Sequence, residues 1–219
     1  MPLGSVLVLL LVGIAAGLVA WRLLSRRRSL PCPAWLSWMV DNPLSRGRTN
    51  ATLAQLELSP GLHVLDAGCG PGRLTIPIAR AVAPQGHVLA VDIQPDMLRR
   101  AREKAAEASV SNVEFLNAAL GGGQLPAATF DRAVLVTVLG EIPDREGAMQ
   151  ELYASLKPGG FLLVNEVMGD PHYQTAGKVR SLAEKVGFLP GPVYGRALTY
   201  SMKLEKPPSA GRVEGAKRP

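Results

Sequence analysis

Cysteine is scarce in this chain: 219 residues hold two, Cys32 and Cys69, far apart and one of them inside a glycine-rich turn. That spacing gives no support to a disulfide framework or a zinc site, and a reducing compartment is the simpler environment. Aromatic residues make up only 5% of the chain, and no stripe of aromatic and basic side chains runs through the central part, so a nucleic-acid partner is not expected. No internal repeat and no second catalytic segment is evident, which leaves one domain with appendages, large enough to enclose a core and a cleft. Charge is missing from the start of the chain as well. No Asp, Glu, Lys or Arg lies between Met1 and Trp21, and Val6 to Ala20 consists wholly of Val, Leu, Ile, Ala and Gly. A cleaved secretory signal wants a charged leading region, a shorter apolar core and a small-residue cleavage site.

An apolar segment of about 20 residues at ~1.5 Å rise spans the ~30 Å hydrocarbon layer, so residues 1–24 read as a transmembrane anchor, with Trp21 at the interface and Arg22 able to snorkel. The positive charges follow the segment (Arg22, Arg26, Arg27, Arg28), which predicts a single-pass protein of the cell inner membrane with its domain in the cytoplasm. The net charge of +6 and pI near 9.6 are read the same way, as attraction to a membrane surface. Residues 25–50 form a basic and aromatic connector in which Trp35, Trp38 and Met39 would share a face of a short helix, either as a lid on the domain or against the membrane. Cys32 there is either an acylation site or an idle thiol. The catalytic domain is expected over 51–205. The polar, Pro- and Gly-rich tail 206–219 lacks the apolar surface to order itself.

Within the domain, strand and helix patterns alternate. Strands are predicted at 63–67, 87–93, 113–117, 132–139, 161–167 and 198–204, and helices at 73–83, 95–108, 145–156 and 175–186. Such alternation argues for an α/β fold with a doubly wound, mostly parallel sheet covered on both faces.

The richest feature is Val64-Leu65-Asp66-Ala67-Gly68-Cys69-Gly70-Pro71-Gly72, an apolar strand that breaks into an acid and alternating glycines, with a second acidic strand end, Val91-Asp92, twenty residues beyond Gly72. Glycines without Cβ let a ligand lie on the backbone, the helix starting near Arg73 would point its N-terminal amides at it, and an acid about 20 residues on can hold ribose hydroxyls. The order Asp-x-Gly-x-Gly-x-Gly resembles motif I of the class I S-adenosylmethionine-dependent methyltransferases. The likeness continues in Phe130-Asp131, in Gly140-Glu141-Ile142-Pro143-Asp144 and in Leu156-Lys157-Pro158-Gly159-Gly160, covers roughly residues 60–205, and is nearest to the ubiquinone/menaquinone-biosynthesis and lipid-type branch. It implies a seven-stranded Rossmann-like sheet with one antiparallel strand near the end, and S-adenosylmethionine as cofactor. Gly68 and Gly70 would then face the methionine end, Asp66 the turn or the amino group, Asp92 with the adjacent Ile93 the ribose, and Thr137 the methyl-donor side. The acid that relatives place after the third strand, for the adenine amino group, is absent. Asn117 stands there as an adenine contact or a turn residue, followed by Gly121-Gly122-Gly123, which reads as a flexible loop.

Active-site groups collect at strand carboxyl ends, so Glu141 is the leading catalytic candidate, as a base or a holder of an ammonium or hydroxyl, with helix-end stabilisation as its plain alternative. His172 and Tyr173, after the fifth strand, are further candidates, though Asp170-Pro171 before them is also ordinary turn chemistry. Tyr153 and Lys157 match the Tyr-x-x-x-Lys pair of short-chain dehydrogenases, but Pro158-Gly159-Gly160 ends the helix at once and the glycine pattern of that class is missing. No metal is required. Taken together, the residues lead to a membrane-anchored methyltransferase acting on a small, lipophilic acceptor such as a quinone precursor or a phospholipid head group. The alternative is a cofactor-binding or scaffold protein of the same fold without turnover. Oligomeric state is not legible.

Overall fold

The computed structural model describes residues 46–196 and 199–209, together with Ser5, Val12, Gly13, Ala16, Pro31 and Cys32. The expected anchor and the Trp35/Trp38 stripe lie outside the described residues, apart from those isolated positions. Among the described residues no helix is long and apolar enough to cross a membrane.

Elements follow one another as α1 (Arg46–Gln55), β1 (His63–Ala67), α2 (Thr75–Val82), β2 (His87–Asp92), α3 (Pro95–Glu107), β3 (Val113–Asn117), β4 (Phe130–Val136), a 3-10 turn (Leu139–Glu141), α4 (Arg145–Ser155), β5 (Leu156–Val167), α5 (Ala176–Val186), β6 (Leu189–Arg196) and β7 (Thr199–Glu205). The sheet has seven strands in the order β3-β2-β1-β4-β5-β7-β6. Its first five strands are mutually parallel, whereas β7 runs antiparallel to both β5 and β6. This is the seven-stranded Rossmann-like architecture that the resemblance implied.

Alternation along the strands builds two cores. Val64, Val88, Val134, Phe161 and Leu163 face α1 and α2, meeting Leu56, Leu74, Ile78 and Val82. On the opposite face Leu65, Ala67, Leu135, Leu162 and Val164 meet Met149 and Leu152 of α4 and Val179 and Ala183 of α5. Central strands buried on both sides read as continuous apolar runs, which is why β1, β2, β4 and β5 stand out in the sequence.

Several elements differ from expectation for identifiable reasons. Strand β4 stops at Val136, because Thr137 takes a φ of 54° and the chain turns into the 3-10 segment. Strand β5 begins at Leu156, which pairs with Phe130 across an irregularity before the Arg132 to Phe161 pairing, so the expected Leu-Lys-Pro-Gly-Gly turn is part of the strand. Strand β6 was not anticipated; Pro190, Gly191, Pro192 and Gly195 disguise it, and they are tolerated because it is an edge strand. Helix α1 crosses residue 51, where the connector was expected to give way to the domain, and is fastened by Thr52, whose hydroxyl donates to Arg48 O at 2.9 Å and accepts from Asn165 Nδ2 at 2.6 Å. At the other end, Lys206 is held rather than loose. Its Nζ donates to the carbonyls of Tyr153 and Leu156 at 2.8 and 2.7 Å; residues 210–219 of the tail lie outside the described residues.

Leu135 is fully buried on the central strand β4. Replacing it with alanine is expected to lower stability by about 2–5 kcal/mol, read as a shift in urea midpoint at unchanged slope.

Candidate functional site

A crevice opens at the carboxyl ends of β1, β2 and β4, lined by Gly68, Val91, Asp92, Ile93, Gln94, Ala118, Ala119, Leu120, Val138, Glu141, Ile142, Pro143 and, from the chain before the domain, Pro31. The glycine turn is folded down onto β2. Gly68 N and Cys69 N both donate to Val91 O, at 2.8 and 2.9 Å, and Gly70 N donates to Asp92 Oδ2 at 2.9 Å. These amides are thus committed to β2, and helix α2 begins at Thr75 rather than at Arg73. What the turn offers the crevice is bare backbone. Gly68 has a φ of 74°, and a Cβ there would lie 2.4 Å from Val138 Cγ2, so no larger residue fits between the turn and Val138, just after β4.

Asp66 does not line the crevice. It is 3% exposed and accepts Thr75 Oγ1 at 2.7 Å, so it ties the strand end to the start of α2; burial pushes its carboxyl up to about 6, against the Thr75 hydrogen bond. Asp92 does line it, with Oδ1 taking Gln94 N at 2.8 Å and Oδ2 taking Gly70 N. Each oxygen keeps a lone pair for a further donor. Burial raises the Asp92 carboxyl, and the two amides oppose that. Ile93 is 57% exposed on the rim and offers an apolar face to whatever enters.

Two expected cofactor contacts do other work. Asn117 Nδ2 donates to Asp92 O at 2.9 Å, stitching the ends of β2 and β3, and Thr137 Oγ1 donates to the adjacent Val136 O at 2.7 Å; neither residue lines the crevice. The flexible adenine-side loop is corrected too: Glu151 of α4 accepts the amides of Gly121, Gln124 and Leu125, so the loop is pinned.

Among the catalytic candidates only Glu141 reaches the crevice. Burial, with Asp170 next in weight, pushes its carboxyl up to about 8, against the Cys32 amide that donates to Oε1 at 3.3 Å. His172 is 6% exposed, and its backbone packs so tightly on Gly140 that a Cβ there would lie 1.9 Å from His172 O. That contact fixes the loop after β5 beside the 3-10 turn. Tyr173 packs edge-on to Tyr200, ring centroids 6.1 Å apart, and belongs to the core. Tyr153 and Lys157 lie at the opposite end of the sheet, Lys157 paired with Asp131 at 2.8 Å and Tyr153 stacked edge-on against Phe188, so the dehydrogenase-like pair is a coincidence of spacing.

Several participants were not anticipated. Gln94 Nε2 donates to Cys32 O at 2.9 Å, so Pro31 and Cys32 form a strap at the crevice, held by Gln94, just after β2, on one side and by Glu141 on the other. Burial, Glu141 and Asp170 raise the Cys32 thiol to about 11. Glu166, 1% exposed, accepts Gln174 N at 3.0 Å through Oε2, while Oε1 has no hydrogen-bond partner among the described residues. Burial pushes it up to about 8, Asp170 adds to that, and the Gln174 amide opposes it. Only the three-dimensional structure brings these groups together. Among the described residues no cluster suited to a metal ion is present.

A nucleoside with a methionine-like arm fits this donor set. The bare turn admits a chain along Gly68, Asp92 can accept from vicinal hydroxyls, and Ile93, Ala118 and Leu120 supply apolar walls. The crevice measures about 180 Å³.

Residues 64–160 match the methyltransferase domain family. A demethylmenaquinone methyltransferase of Listeria monocytogenes serotype 4a is 34% identical over 111 residues, covering 51% of this chain and 47% of the relative. A ubiquinone/menaquinone biosynthesis C-methyltransferase of Marinomonas sp. is 37% identical over 116 residues, covering 52% and 46%. The chain thus spans about half the length of the curated relatives it matches. Among solved structures, an S-adenosylmethionine-dependent methyltransferase from Aquifex aeolicus superposes with a TM-score of 0.73 at 22% identity, over 80% of this chain and 99% of that one.

The raised carboxyls have a consequence for stability. Glu141 and Glu166 hold protons in the folded protein up to about 8, whereas in the unfolded chain they ionise near 4.5. Between those values the folded state binds more protons, so stability falls as pH rises through the window. Urea unfolding at pH 5 and pH 8 is expected to show that fall, and Glu141→Gln and Glu166→Gln each to reduce it.

Proposed function

From a domain that belongs to the class I S-adenosylmethionine-dependent methyltransferases, we propose that this chain is a membrane-anchored methyltransferase of a small, lipophilic acceptor, a quinone precursor or a phospholipid head group. The observation that carries the catalytic part is the meeting of bare backbone at Gly68, a buried carboxylate at Asp92 and a second carboxyl at Glu141 around one crevice. S-adenosylmethionine, when bound, supplies a methyl group on a positively charged sulfur, open to in-line attack. The chain's part is to hold donor and acceptor aligned and to keep water out. Asp92 orients the ribose, Gly68 and Val138 set the depth of the methionine arm, and Ile93 and Leu120 flank the base. Glu141 sits where the acceptor approaches. Once ionised it takes the proton of an acceptor hydroxyl or steadies a cationic head group, and its raised pKa makes it a competent base near neutral pH.

The membrane part is supported by the uncharged stretch from Met1 to Trp21 and by the arginines that follow it. Orientation by the positive-inside rule leaves the domain in the cytoplasm at the inner membrane. Tethering raises the local concentration of a bilayer-dissolved acceptor. The relatives' names favour a quinone-type acceptor.

Calorimetry with S-adenosylhomocysteine is expected to show binding that Asp92→Ala weakens by about 10- to 100-fold, the cost of losing a charge-assisted partner for the ribose. Incubation with labelled S-adenosylmethionine and total membrane lipid should label a lipid-soluble product; binding without any labelled product would select the non-catalytic reading instead. The rate should rise with pH to a plateau above about 8, following ionisation of Glu141, and that inflection should vanish in Glu141→Gln. Flotation and alkaline extraction of the full chain should leave it with the membranes.

A further inference from the structure

The segment that carries Glu141 has the crevice on one side and a second cavity, of about 390 Å³, on the other; the second lies between α4 and α5, and Pro143 lines both. Leu139, Val179 and Leu182 form its apolar walls. Its acids are already engaged. Asp144 Oδ1 accepts Gly147 N at 2.9 Å as the cap of α4, and Glu146 pairs with Lys185. Gln174 Nε2 is spent on His172 O at 2.6 Å. The cations are not used up. Arg145 gives Nε to Leu139 O at 3.2 Å and Nη2 to Gly140 O at 2.9 Å, so three of the five N–H groups of its guanidinium remain. The Lys178 ammonium has no hydrogen bond or ion pair among the described residues. Both helices also bring their first turns here, Arg145 and Glu146 from α4 and Lys178 and Val179 from α5, which adds the partial positive charge of two helix starts. The sign reverses across the turn, where Glu141, whose carboxyl burial raises, has Asp170, Asp92 and Glu166 as its further acidic neighbours. The two sides are close, because the carbonyl that Arg145 holds belongs to Gly140, the residue before Glu141.

We propose that the cavity between α4 and α5 is a phosphate subsite, and that the acceptor is a phosphorylated primary amine with its phosphate on Lys178 and Arg145 and its ammonium across the turn at Glu141. This rests on the crevice being the methyl-transfer site, and it selects head-group chemistry over a quinone precursor, whose uncharged ring leaves both cations without a counterpart. An amine attacks through its lone pair, so the ammonium first gives a proton to the Glu141 carboxylate. The lone pair then forms the N–C bond while the electron pair of the breaking C–S bond stays on sulfur. The product is a methylated ammonium, and the proton on Glu141 passes to solvent.

The test gives the full chain labelled S-adenosylmethionine with phosphoethanolamine, with ethanolamine, or with vesicles of phosphatidylethanolamine in phosphatidylcholine. Label on phosphoethanolamine or on the vesicle lipid supports the proposal and tells a soluble ester from a bilayer one. Label on neither overturns it, and a labelled quinone from total membrane lipid would then leave the methyltransferase reading standing alone. Lys178→Ala is expected to raise KM for the labelled ester about tenfold with kcat within about twofold, the loss of one charge-assisted partner for phosphate, and Lys178→Arg to restore most of it. An unchanged KM in Lys178→Ala, or an equal loss toward ethanolamine, overturns the phosphate subsite. Absence of S-adenosylhomocysteine binding by wild type would overturn the cofactor reading itself, and this proposal with it.

Discussion

The site depends on how the glycine turn is fastened to β2. Val91 O receives two amides and the Asp92 carboxylate receives two more, so the end of one strand organises the turn that leaves its neighbour. The geometry follows from the parallel pairing of β1 with β2, which sets Ala67 beside Val91. Once those amides are committed, the turn cannot rise into the crevice, and only its backbone faces inward. Asp92 does two things at once: it closes the turn through Gly70 and Gln94, and each of its oxygens keeps a lone pair for a further donor. Its raised pKa reflects the cost of burying a carboxylate for that double duty, offset by the amides that hold it.

The same economy explains what was legible in the sequence. Strands β1 and β3 fall where predicted, because apolar runs bounded by turn residues leave little ambiguity. Glycines and acids on consecutive elements are readable because a turn and a strand end are local objects. Groups recruited across the fold are not. Gln94, Glu151 and Glu166 carry no local sign of their partners, lying 62, 30 and 8 residues from Cys32, Gly121 and Gln174 respectively. Where a local sign was present it could point the wrong way. Three glycines after β3 read as freedom, yet a carboxylate from α4 removes it. Tyr173, beside a loop, read as a substrate contact, yet its ring is needed to pack Tyr200. Helix α1 escaped notice because its polar sequence offers little apolar periodicity, and its attachment runs through Thr52 rather than a hydrophobic stripe.

The strap joins the two ends of the chain's chemistry. Pro31 and Cys32 follow the basic cluster that closes the apolar segment, and they bridge Gln94 at the ribose side to Glu141 at the acceptor side. From Arg28 to Pro31 is three residues, a reach of about 10 Å even when fully extended. A chain held at a bilayer by its first 24 residues would therefore hold the strap, and the crevice beneath it, close to the lipid surface. At Glu141 two influences oppose each other: burial, with Asp170 next, favours the protonated carboxyl, whereas the Cys32 amide favours the carboxylate. The contact that joins the chain before the domain to the crevice thus also bears on the protonation of the carboxyl best placed in it.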